Sequence, residues 1–84
     1  MTYRAAFTPD ADKKYAALDA YDQRLVDAAL AKLVADPFDS AVSIAYPGRG
    51  SDDFRSAFVY GIAMVYVVSQ GTTPPRVTIT DFNL

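Results

Sequence analysis

The stretch from Asp53 to Val68 constrains the fold more than any other part of the chain. It reads Asp53-Phe54-Arg55-Ser56-Ala57-Phe58-Val59-Tyr60, then Gly61, then Ile62-Ala63-Met64-Val65-Tyr66-Val67-Val68. Both arms are rich in aromatic and β-branched residues, which suit a pleated, half-buried surface. Gly61 permits a tight reversal, so the stretch predicts two adjacent antiparallel strands. Phe54, Phe58 and Tyr60 alternate with Arg55, Ala57 and Val59 on the first arm. Ile62, Met64, Tyr66 and Val68 alternate with Ala63, Val65, Val67 and Ser69 on the second.

The rest of the chain supplies what such a strand pair needs for a core. Tyr3 to Phe7 is short, apolar and bounded by aromatics, and reads as a first strand. Thr8-Pro9-Asp10 is a helix start: a capping hydroxyl, a proline suited to the first helical position and an acid near the positive helix end. Ala11, Tyr15 and Leu18 then share one face at helical spacing. Asp19 opens a second helix, with Val26, Ala29, Leu30 and Leu33 as its apolar stripe, and Pro37 prevents continuation beyond Asp36. Two helices joined by so few residues run roughly antiparallel. A connector from residue 39 to 52 contains the turn sequence Pro47-Gly48-Arg49-Gly50-Ser51 and a candidate short strand from Ser43 to Tyr46. Gly71 to Pro75 is a stiff loop, and Arg76 to Thr80 a last strand. The expected architecture is α+β, in the order β-α-α-β-β-β, with the helical hairpin on one face of a small antiparallel sheet.

Composition narrows the chemistry. Eighty-four residues make one domain, residues 1–84. The chain contains no cysteine and no histidine, and all ten acids are aspartate. Disulfides, zinc sites built on cysteine or histidine and histidine-dependent nucleophiles are therefore outside its reach, and neither metal nor cofactor is expected. Eight basic residues against ten acidic ones give a net charge of −2, where nucleic-acid binders usually carry a cationic excess. No segment has the length of a membrane-spanning helix and the N-terminus has no apolar run, so the expectation is a cytoplasmic protein without membrane association.

In order and spacing, nearly the whole chain resembles the RelE/ParE superfamily of small bacterial toxins. Tyr3-Arg4-Ala5-Ala6-Phe7-Thr8-Pro9-Asp10-Ala11 looks like the family's opening. Leu30 to Pro37 looks like the close of its helical hairpin, Phe54-Arg55 like the aromatic–basic pair of its middle strand, and Val65-Tyr66 like its tyrosine-bearing strand. The resemblance implies the toxin component of a type II toxin–antitoxin pair, acting on translation or by binding a target protein. In ribonuclease members, basic residues on the open sheet face hold mRNA at the ribosome and stabilise charge at the cleaved phosphate. Arg55 matches one of those positions and is the candidate catalytic residue. Ala57 stands at a second and Ala63 at a third, and Asp81-Phe82-Asn83-Leu84 lacks the closing basic residue and tyrosine. At roughly 3 kcal/mol per donor, these departures remove several kcal/mol of transition-state stabilisation.

Placing Phe54, Phe58, Ile62, Met64 and Tyr66 against the helices leaves Ala57, Val59, Ala63, Val65 and Val67 on the open face. Such an apolar face marks an interaction site, with Arg49 and Arg76 as further candidate binding residues. Its expected occupant is a cognate antitoxin or a second copy of the chain, with ribosome and mRNA as partners if the ribonuclease reading holds. The alternative is a non-catalytic protein of this fold that serves only as a protein-interaction or self-association module.

Overall fold

The computed structural model describes residues 3–46 and 53–84. The chain forms β1 (Arg4–Phe7), α1 (Pro9–Ala16), α2 (Ala20–Ala35), β2 (Ser43–Ala45), β3 (Phe54–Val59), β4 (Ile62–Ser69) and β5 (Arg76–Asn83). Both helix starts follow the local chemistry of the sequence. The Thr8 hydroxyl accepts from the Ala11 amide and the Asp19 carboxylate from the Asp22 amide, while Pro37 follows the end of α2. The Tyr15 hydroxyl donates to Asp27 (2.8 Å) and the Gln23 amide to the Tyr15 carbonyl (3.1 Å), which ties the two helices together.

The sheet has five strands in the order β1-β5-β4-β3-β2. It is mixed rather than purely antiparallel, because β1 lies parallel to β5, with Phe7 opposite Ile79. A chain that enters β1, crosses the sheet through two helices and returns at its far side can place its first and last strands side by side. The short Ser43–Ala45 segment joins the sheet as its edge, so the order has one strand more than the sequence pattern predicts.

The strand pair β3–β4 turns at two residues, not one. Val59 pairs with Ile62, and Tyr60 (φ 52°) and Gly61 (φ 80°) both adopt left-handed backbone. Positive φ at both central positions is the conformation whose twist matches that of the flanking strands. Directly opposed residues share a face, so Val59 points the same way as Ile62, Ala57 as Met64 and Arg55 as Tyr66. This corrects the expected faces of β3. Ala57 and Val59 are buried beneath the helices, while Phe58 is 66 % exposed and Phe54 half-buried on the opposite face.

A second phase change occurs in β5. Val65 pairs with Asp81 but Tyr66 with Ile79, leaving Thr80 as an extra residue whose hydroxyl donates to the Val65 carbonyl (3.1 Å). This bulge turns Phe82 into the core and Asp81 and Asn83 to the open face. Regular alternation after Ile79 would have driven the carboxylate inward. The core is one cluster joining Val26, Ala29, Leu30 and Leu33 of α2 to Ile62, Met64, Tyr66 and Val68 of β4 and Val77, Ile79 and Phe82 of β5.

The turn can be tested by stability. Tyrosine in left-handed backbone costs about 1–2 kcal/mol, whereas asparagine tolerates it, and the Tyr60 side chain is largely exposed. Tyr60→Asn should therefore raise stability by about 1 kcal/mol in urea unfolding. An unchanged or lowered midpoint would show that the ring's contacts outweigh the backbone conformation. The faces can be tested with one charge placed in two neighbouring positions: Ala57→Asp should prevent stable folding, and Phe58→Asp should leave the unfolding free energy in urea within about 0.5 kcal/mol of the parent.

Candidate interaction face and the buried Arg55 network

Opposite the helices, the sheet presents a face whose centre is apolar. Strand register places Phe54 beside Val67, Ser56 beside Val65, and Phe58 beside Ala63, with Ile44 next to Ser56 at the β2 edge. Ile44 and Phe58 are more than half exposed. Tyr46 follows β2 and meets Phe54 edge-on, with ring centroids 5.1 Å apart. A shallow concavity of about 430 Å³ lies over the Ile44–Phe58 end, lined among others by Ser56, Ala63, Val65 and Asp81, with residues 40–42 contributing one wall. Of the five residues expected on the open face, Ala63, Val65 and Val67 are there. Ala57 and Val59 are not, and Phe54 and Phe58 are there instead, which makes the face larger and more aromatic than expected.

Arg55 is buried on the helix side, not on the open face. Its Nε donates to the Ser43 hydroxyl (2.7 Å), its Nη2 to the Ser43 carbonyl (3.3 Å), and its guanidinium lies 5.1 Å from the centre of the Phe38 ring. The Tyr66 hydroxyl donates to the Pro37 carbonyl (2.6 Å) and contacts the Ser43 hydroxyl. Ser43 also lies 3.2 Å from that carbonyl. Each hydroxyl has one proton, so with the Tyr66 proton on Pro37 the Ser43 proton goes to the Tyr66 oxygen. The four residues thus pin the connector between α2 and β2 to the middle of the sheet. Among the described residues no carboxylate lies within ion-pair distance of Arg55. Burial pushes the Tyr66 phenol above its ordinary value, against the opposing pull of its bonds to Ser43 and Arg55.

Two arginines do reach the open side. Arg4 and Arg76 are directly opposed on β1 and β5, are exposed, and point away from the core that Phe7, Val77 and Ile79 fill. At the far end of β5, Lys14 bonds to Asp81 (3.0 Å) and Asn83 (2.9 Å), and this contact holds the Asp81 carboxyl below its usual range. Arg49, the other candidate binding residue, lies outside the described residues. No group of three or more aspartates that could hold a metal ion occurs among the described residues, and no helix there is long and apolar enough to cross a membrane. Arg55's burial could have been read from one signal: a two-residue Tyr60-Gly61 turn would have put it on the same face as Tyr66.

No protein-family model matches the chain, and comparison of its sequence with curated proteins finds no match.

Removing Arg55 should be read out as stability. Arg55→Ala should cost about 1.5–3 kcal/mol in urea unfolding, the range for hydrogen bonds to a charged group, and Arg55→Lys should recover only part because it lacks the planar fork. A stability loss below about 0.5 kcal/mol would contradict the buried network. Tyr66 predicts the alkaline limit. Its folded pKa is raised, so the stability it contributes is fully present below the ordinary phenol value of 10.0 and is lost as pH rises through the higher folded value. Tyr66→Phe should destabilise by about 1 kcal/mol near neutral pH and flatten the alkaline fall in urea midpoint. An equally steep fall in the variant would assign it to other groups.

Proposed function

We propose that this chain is a RelE/ParE-like protein that works by binding another protein through the open sheet face and performs no phosphodiester chemistry of its own. One observation carries the reading. The single basic residue that matches a catalytic position of the resembled family, Arg55, is spent on the core, while the face where such chemistry would occur is lined by Phe54, Phe58, Ala63, Val65 and Val67. A developing phosphate charge needs donors aimed at it from a preorganised site. Among the described residues the centre of this face offers no cationic donor, only the Ser56 hydroxyl, and Arg4 and Arg76 stand together at its margin. Apolar side chains on a rigid sheet are instead suited to bury against a complementary surface. Within a toxin–antitoxin pair, that surface would be the antitoxin or the target protein. The catalytic toxin reading loses its last matched residue, and the interaction-module reading gains an exposed Phe58 and a half-buried Phe54.

Phe58→Asp is the matched test, because its fold should survive. Co-expressed with its partner, the parent should co-purify as a complex and the variant should not, at equal urea midpoints. Primer extension on ribosome-bound mRNA should show no cleavage by the folded parent. Strong cleavage in the ribosomal A site would overturn the proposal, as would a monomeric parent whose partner capture is unchanged by Phe58→Asp.

A further inference from the structure

The Arg4–Arg76 pair lies at one end of the apolar face, and nothing among the described residues accounts for it. Directly opposed like charges on adjacent strands disfavour the sheet. Yet the two arginines are opposed in register and exposed, on the same face as Val67 and Phe54. Among the described residues neither has a carboxylate within ion-pair distance; the ion pair present there joins Lys14 to Asp81. The opposite end of the face is already neutralised by that pair, so among the described residues the exposed charge of the face is one-sided.

Resting on the docking reading above, we propose that the occupant is an amphipathic helix of a partner protein, apolar along one side, with carboxylate side chains in the turn that meets Arg4 and Arg76. The placement follows from the sheet. Arg76 is paired with Ser69, and the concavity lies near Val65 and Ala63, so the two ends are separated by about 17 Å along the strands at roughly 3.4 Å per residue. They are also offset from β5 to β3, two strand spacings of about 4.8 Å each. The diagonal is about 20 Å, the length of a helix of roughly 13 residues. A strand added beside β2 would cover Ile44 but could not reach Arg4 on the opposite edge. Guanidiniums bind carboxylates through paired, charge-assisted hydrogen bonds, and two adjacent ones select a segment with more than one acid. The net charge of −2 and the apolar centre disfavour a phosphate backbone as occupant.

The test is selection from a display library of random peptides long enough to form such a helix, against the intact protein. Selected binders should share an apolar stripe ending in Asp or Glu. Their affinity should fall about tenfold or more in Arg4→Gln/Arg76→Gln and weaken with added salt, and binding should vanish in Phe58→Asp. Binders without acids, indifferent to the double arginine variant but lost in Phe58→Asp, would overturn this inference and leave the docking reading standing. Failure of Phe58→Asp to affect any binder would overturn both. Arginine-dependent binding of a single-stranded RNA probe in place of peptides would also overturn it, as would light scattering that shows the face closed by a second copy.

Discussion

The pleat phase between β3 and β4 decides what each side of this molecule can do. Side chains alternate with a period of two, so one residue more or less in a turn moves every following side chain to the other face. The two-residue Tyr60-Gly61 turn places Val59, Ala57 and Arg55 under the helices and sends Phe58 and Phe54 outward. A strained conformation at Tyr60 is tolerated because it closes a pairing that runs the length of β3. The bulge at Thr80 does the same for β5, admitting Phe82 to the core and keeping Asp81 in reach of Lys14. The two-sidedness of the sheet rests on these two local irregularities.

This explains which features were legible in the sequence. Helix starts at Thr8-Pro9 and Asp19 and the stop at Pro37 are written in neighbouring residues, and the structure places them as read. The faces of β4 were legible because Ile62, Met64, Tyr66 and Val68 are the larger members of their alternation. The faces of β3 were not, because tyrosine is an unusual occupant of left-handed backbone and the turn therefore reads as Gly61 alone. With Phe54 and Phe58 larger than Ala57, size also argued for the wrong side. Thr80 looks like any strand residue, so the bulge had no local mark, and β5 runs to Asn83 rather than stopping at Thr80. The parallel pairing of β1 with β5 joins opposite ends of the chain, beyond the reach of any local pattern.

Arg55 was misplaced for the same reason, and its true position changes the chemistry available. A guanidinium on the open face would be a ligand for phosphate. Facing the core, it needs acceptors, and it finds them in the hydroxyl and carbonyl of Ser43. The connector also packs Pro37, Phe38 and Val42 on the core, so the polar network adds to the packing between α2 and β2. In a chain of 84 residues, where the core is small, such a network is a substantial part of what holds the edge of the sheet.

The two faces are consequently not independent. Ser43 is fixed from beneath by Arg55 and Tyr66, and its neighbours Val42 and Ile44 line the concavity above, together with Ser40 and Ala41. The wall of the concavity on the open face is therefore held by a network on the opposite side of the sheet. Docking benefits when its surface is already in the bound conformation, because the cost of ordering side chains and loops is met in folding. Under the proposed docking, Arg55 would matter for partner binding without touching a partner, acting through Ser43 on the position of Ile44. A bound partner would, under the same docking, also favour the native state by mass action. The same residue that would be a catalytic group in the resembled family here connects the core to the surface on which a partner would settle.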